Sequence, residues 1–238
     1  MHNHKANLLP EVKDIQSLLD NYVDNYSKRK ESKKPYSTQI VLYNDSNHGK
    51  TSSLYMLLLM LTQNELFAQE IFQLFIKNVY YDVKRNKYAI KDIRIAFPYK
   101  GYRIYLSTKG DTRIFCENNM YFGRDLLRDI RDGDSITSCY VINNQIYKGR
   151  DNVPDWKVWK EDKTLRIFIS PSHNGGETVD ATMYYSQMLV GDINRILWIR
   201  KLDCDRLKNS CIFTTEDVRV ATEMKNAIDR IIVNGSYL

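Results

Sequence analysis

Cysteine is scarce in this chain. The four, Cys116, Cys139, Cys204 and Cys211, form no C-x-x-C pair and stand beside no histidine pair at zinc-site spacing, which argues against a thiolate metal centre and reads as reduced thiols. No apolar run approaches the ~18 residues that cross a bilayer. The opening "MHNHKANLLPEVKD" lacks the charged-then-apolar order of a signal peptide, so the expectation is a cytoplasmic protein with no membrane partner. There is no internal repeat, no low-complexity tract and no linker that would split the chain, and no Ser-His-Asp or Cys-His arrangement emerges from spacing. Charge of one sign is also in short supply. The surplus is only +6, with a pI near 9.0, which favours acidic partners, nucleotides and nucleic acids included, without choosing among them.

What is present is an alternation of strand and helix patterns across 238 residues with 43% apolar content, enough for one domain with a substantial core. Residues 11–31 place Val12, Ile15, Leu18, Leu19, Tyr22, Val23 and Tyr26 on one stripe of an amphipathic helix. Its basic end, "SKRKESKKP", stops at Pro35 and reads either as a solvated helix terminus or as a nucleic-acid patch. Residues 36–44 read as a strand covered on both faces, and 51–66 as a helix apolar on nearly every side and therefore buried. A second helical pattern covers 65–84. "IRIAFPYKGYRIYLSTKGD" reads as a hairpin turning at Tyr99-Lys100-Gly101. "ENNMYFGRDLLRDIRDGD" is helical, "SITSCYVIN" a strand, 144–164 a tryptophan-bearing loop insertion, and "LRIFISPSHNGGET" a strand leading into a Gly-rich loop. "VDATMYYSQMLVGDINRILWIRKL" reads as one long helix, and "TTEDVRVATEMKNAIDRIIV" as another with a Thr/Asp start signal. The expected fold class is α/β with a mainly parallel sheet and one β-hairpin.

The stretch with the most chemistry is "QIVLYNDSNHGKTSSLYMLLLML". A strand, a polar loop and a helix follow one another directly, which is the order a phosphate site needs: backbone N–H groups converge on an anion and the helix N-terminus adds its dipole. Against G-x-x-x-x-G-K-[ST], Asn44-Asp45-Ser46-Asn47-His48-Gly49-Lys50-Thr51 departs only at its first position. Asn enters left-handed backbone conformations most readily among non-glycine residues and bonds its own loop, so it is a tolerable replacement. The other reading makes Gly49 a turn residue, Lys50 a solvated charge and Thr51 a helix cap.

On these residues the chain resembles the P-loop NTPase superfamily, closely over residues 36–66 and elsewhere in the order of elements. The resemblance implies a three-layer α/β/α sandwich that binds Mg-ATP, or less readily Mg-GTP. Residues 44–51 and Ser52 would surround the phosphates, with Lys50 on the β- and γ-phosphates and Thr51 on Mg²⁺. It also implies a carboxylate at the end of a neighbouring strand, for which Asp111 is the choice after "IYLSTKG", although Gly-Asp is equally ordinary turn chemistry. No N-K-x-D sequence supports guanine.

Other candidates stand farther out. Arg113, Arg124, Arg128 and Arg131 are either surface partners of Asp125, Asp129 and Asp132 or include a γ-phosphate contact, for which Arg124 or Arg128 would serve if the helix packs beside the phosphates, Arg124 being the catalytic choice. His173, in the loop after a strand, is placed to meet water or a base, or is simply exposed. Trp156 and Trp159 alternate with lysines and read either as packed indoles or as a stacking surface for single-stranded nucleic acid. Three functions follow as expectations: an Mg²⁺-dependent, ATP-preferring hydrolase, a small-molecule or nucleotide kinase, or a nucleotide-sensing module with little turnover that signals to a protein partner.

Overall fold

The computed structural model describes residues 37–44, 49–110, 112–123, 136, 138–161, 164–190, 196–202 and 212–236. The helix expected over 11–31, Asp45 to His48, Asp111, and Arg124, Arg128 and Arg131 lie outside the described residues. Seven strands form the main sheet: β1 (Ser37–Tyr43), β4 (Arg94–Tyr99), β5 (Tyr102–Ser107), β6 (Ser138–Ile142), β7 (Gln145–Lys148), β8 (Arg166–Ser172) and β9 (Ile196–Arg200), in the order β7-β6-β4-β5-β8-β1-β9. The block β5-β8-β1-β9 is parallel throughout, β4 pairs antiparallel with β5 but parallel with β6, and β7 closes antiparallel on β6. The fold is therefore mixed α/β with a mostly parallel sheet.

Strand alternation explains the packing. Ile40 and Leu42 of β1 point into one core with Leu54 and Leu58 of α1 (Lys50–Thr62), Ile71 of α2 (Ala68–Asn78) and Met224 and Ile228 of α6 (Thr215–Ser236). Val41 between them points the other way, to a core holding Phe122 of α3 (Arg113–Gly123) and Val190 of α5 (Glu177–Val190). Helices thus cover both sheet faces. Helix α1 is apolar all round because the sheet lies on one side of it and α6 on the other.

Four expectations change. The long helix over 179–202 is two elements, α5 and β9, because Ile196-Leu197-Trp198-Ile199 continues the sheet beside β1. A short apolar run of this kind fits a strand and a buried helix equally well by periodicity. The second helical pattern, 65–84, ends at Asn78, and Val79 onward enters a separate two-stranded sheet of β2 (Val79–Asp82) and β3 (Lys87–Ile90). The loop insertion over 144–164 contains β7, a 3₁₀ turn at Arg150–Asn152 and the short helix α4 (Trp156–Glu161). Finally, the described residues hold three hairpins rather than one. The turn of β4–β5 uses Lys100 and Gly101 at positive φ, and that of β6–β7 uses Asn143 and Asn144 in the same way, as two-residue turns matched to strand twist require.

Candidate functional site

The β1–α1 junction lies at the edge of the sheet where the parallel strands end. Gly49 precedes α1 with φ 76° and ψ 24°, a left-handed conformation that costs glycine little and other residues more. Asn44, expected to supply that conformation, is not among the described residues with positive φ. It is buried, and its N–H donates to the carbonyl of Ser172 at the end of β8 at 3.4 Å. Among the described residues of this junction the left-handed step is at Gly49. The Lys50 ammonium folds back and donates to the Asn44 carbonyl at 2.7 Å. Ser52 is half-buried in the first helical turn.

Thr51 is the residue that meets an acid. Its hydroxyl donates to Asp92 Oδ1 at 3.1 Å and lies 3.4 Å from the Thr108 carbonyl. Thr108 Oγ1 donates to the same carboxylate oxygen at 3.0 Å, and Lys109 Nζ stands 3.7 Å from Asp92 Oδ2. Asp92 was not in the sequence-based set, in which Asp111 was the carboxylate at this edge. The signal was available in the hairpin: β4 runs antiparallel to β5 with Arg94 opposite Ser107, so the residue entering β4 lies beside the residues leaving β5. Gly110, on that exit, passes so close to β8 that an added Cβ would lie 2.1 Å from the Pro171 carbonyl oxygen. The loop bearing Thr108 and Lys109 can hug β8 only because residue 110 has no side chain.

Beneath the junction sits a buried ion pair. Lys201, just past β9, is 1% exposed and Asp217, in the first turn of α6, is 2% exposed. The Lys201 ammonium donates to Asp217 Oδ1, to Ser53 Oγ at 2.7 Å and to the Gly49 carbonyl at 3.3 Å. Ser53 Oγ also lies 2.7 Å from Asp217 Oδ1, while Oδ2 accepts from the Thr214 N–H and hydroxyl at 2.8 and 2.9 Å. The reciprocal bond from the Asp217 N–H to Thr214 Oγ1 completes a capping box at the start of α6. Burial pushes the Asp217 carboxyl up, but hydrogen bonds from Lys201, Ser53 and the Thr214 N–H outweigh it and hold the group below the usual aspartate range. This network fastens the carbonyl of Gly49 to β9 and α6. Only Thr214 and Asp217 gave any hint in the sequence, as a helix start.

The remaining candidates separate. His173 follows β8 at the same sheet edge and is half-buried. Arg113 opens α3 and is exposed. Trp156 and Trp159 do not form an outward stacking surface. Both pack edge-on against Tyr140, at 5.2 and 6.0 Å between ring centroids, and the Arg103 guanidinium lies 3.6 Å over Trp159. Cys116 and Cys139 are buried and joined in no disulfide, with burial pushing the Cys139 thiol up to about 11. Among the described residues no three His, Cys, Asp or Glu side chains cluster as metal ligands, and no helix is long and apolar enough to cross a membrane. Comparison of the chain with family models, with curated proteins and with solved structures finds no match.

Proposed function

We propose that the β1–α1 junction binds the phosphates of a nucleoside triphosphate with Mg²⁺ and that the protein is an ATP-preferring P-loop hydrolase. The observation that carries this reading is the convergence of Thr51 and Asp92 at the first turn of α1, directly after left-handed Gly49 and Lys50. Glycine has no side chain to cap the helix, so it leaves the first-turn N–H groups to an incoming anion. Lys50 supplies a compact cation within reach of the loop carbonyl at Asn44, where it can exchange that partner for phosphate oxygens. Helices on both faces of a mostly parallel sheet accord with the three-layer sandwich of this superfamily.

Magnesium bound with a triphosphate takes one or two protein oxygens, phosphate oxygens and water rather than an all-protein cage. A hydroxyl and a carboxylate 3.1 Å apart are the donors it uses, so Thr51 and Asp92 would hold it, and its contribution would be to neutralise phosphate charge. The chain's own residues do the positioning. Lys201 and Ser53 fix the Gly49 carbonyl, Thr108 fixes the Asp92 carboxylate, and Lys50 offsets negative charge as it spreads over the transferring phosphoryl group. Water is the acceptor in this reading. A kinase or a slow nucleotide sensor would use the same junction.

Isothermal titration of Mg-ATP and Mg-GTP into the wild type, Lys50→Ala and Asp92→Asn tests the proposal. Tighter binding of ATP, lost in Lys50→Ala, with Asp92→Asn weakening the Mg²⁺ dependence, is the expected result. Binding of neither nucleotide, or binding indifferent to Lys50, would refute it. Turnover assays with water alone and with added acceptors then separate hydrolase from kinase and sensor.

A further inference from the structure

A second surface lies on β2 and β3, outside the main sheet. Residues 77–91, "KNVYYDVKRNKYAIK", carry five cationic side chains, Lys77, Lys84, Arg85, Lys87 and Lys91, against the single carboxylate of Asp82. For a chain whose whole surplus is +6, that is a concentrated patch. Three tyrosines share the ribbon, and all are exposed: Tyr80 at 43%, Tyr81 at 49% and Tyr88 at 46%. Large aromatic rings normally bury most of their area; Tyr80, opposite Ala89, projects from the other face of the ribbon, so the unburied pair on one face is Tyr81 and Tyr88.

The geometry specifies the kind of partner this pair suits. Tyr81 and Tyr88 are directly opposed across the two strands and therefore share a face, with ring centroids 5.3 Å apart at an interplanar angle of 72°. The Tyr81 hydroxyl donates to Asn86 Oδ1 in the turn, which fixes that ring before any partner arrives. Val79 and Ile90, the next opposed pair on the same face, pack on the main core and anchor the ribbon. Lys84 and Arg85 are exposed at the tip, with Arg85 3.7 Å from Asp82. Flat aromatic faces flanked by cations suit a polyanion whose planar groups are unstacked, because each base can lie on a ring while the backbone follows the charges. A duplex keeps its bases stacked inside, and an acidic peptide without aromatic side chains offers no planar group for the rings. We infer that the β2–β3 ribbon is a docking surface for single-stranded nucleic acid, with Tyr81 and Tyr88 stacking on bases and Lys84 and Arg85 contacting phosphates.

This inference does not rest on the phosphate-loop reading. The ribbon is nonetheless joined to that site at its root: Lys91 donates its N–H to the Asn78 carbonyl, Tyr55 of α1 donates to the Lys91 carbonyl at 2.9 Å, and the next residue is Asp92.

The test is fluorescence anisotropy of the full chain with a labelled oligothymidylate of roughly 15 nucleotides, near the upper site size of single-strand grooves, over a series of salt concentrations. Tyr81→Ala and Tyr88→Ala should each weaken binding by roughly 5- to 100-fold, with Tyr88→Phe close to wild type because stacking needs only the ring. Lys84→Glu combined with Arg85→Glu should flatten the plot of log affinity against log salt by about 1.4, or ~0.7 for each phosphate that is no longer neutralised. Thermal midpoints matching the wild type show that the variants are folded. No binding by the wild type, wild-type affinity and slope in all the variants, or displacement of the oligonucleotide by poly-glutamate as effectively as by unlabelled oligothymidylate would overturn the inference. The last outcome would make the ribbon an acidic-peptide surface.

Discussion

Two charged regions of this protein, the β1–α1 junction and the β2–β3 ribbon, are built on opposite principles. Under the β1–α1 junction, Lys201 and Asp217 are withdrawn from water and bonded to groups inside the protein, so the geometry is held by groups that tolerate no missing partner. On the β2–β3 ribbon, Lys84 and Arg85 stay in solvent beside exposed rings, where a charge contributes little to stability and is available for binding. The contrast separates a charge that shapes the backbone from a charge that faces solvent. The first kind is costly to remove from the fold, the second from affinity.

Asp217→Asn should break the comparison most forcefully. It leaves the Lys201 ammonium buried without its counter-charge and should cost about 3–5 kcal/mol in denaturant unfolding. Lys201→Met with Asp217→Leu should recover much of that loss, since an apolar pair of similar volume is often neutral. The pH dependence has a definite sign. Because Asp217 is held below the usual aspartate range, its ionised form stabilises the fold above that range, and the contribution disappears as pH falls through the lowered value. Asp217→Asn should therefore flatten the acid limb of a stability–pH curve.

Gly110→Ala should have the next largest effect, about 1–3 kcal/mol, because its methyl group would collide with the Pro171 carbonyl and the loop carrying Thr108 must shift. Mg-nucleotide affinity measured on the same variant would tell whether that loop's fit against β8 matters to Asp92. Lys50→Ala sharpens the other side: a loss of about 0.5–1.5 kcal/mol by thermal melting, because the half-buried ammonium gives up a hydrogen bond to the carbonyl of Asn44. The smallest change is expected at the thiols. Cys139, pushed up to about 11 and buried, should resist alkylation at pH 8 in the native protein and react on unfolding, as peptide mass mapping would show.

How much of this was legible in advance depended on sequence distance. Tyr43, Gly49, Lys50 and Thr51 lie within one short stretch, and strand, loop and helix follow from neighbouring residues, although the left-handed step is at Gly49 and not at Asn44. The hairpin turn at Lys100-Gly101 was equally local. Asp92 is 41 residues from Thr51, and the antiparallel pairing of β4 with β5, together with the strand order β5-β8-β1, brings it there. Ser53 and Lys201 are 148 residues apart. β9 was hidden for a different reason, since Ile196 to Ile199 has no period that separates strand from buried helix. Trp156 and Trp159 left two readings open, packed indoles or a stacking surface, and Tyr140 on the adjoining strand β6 decides for packing, with both indoles half-buried.

By itself, the sequence determined the local grammar: where a strand gives way through a polar loop to a helix, and that α1 would be buried, because backbone sterics and hydrophobic periodicity act over a few residues. Tertiary structure alone decided which carboxylate faces Thr51, which cation underpins Gly49 and which aromatic rings remain in water. Those outcomes depend on strand order and register. One sheet arrangement brings distant residues within hydrogen-bonding reach and buries one lysine while leaving another in solvent, and no local propensity encodes that choice.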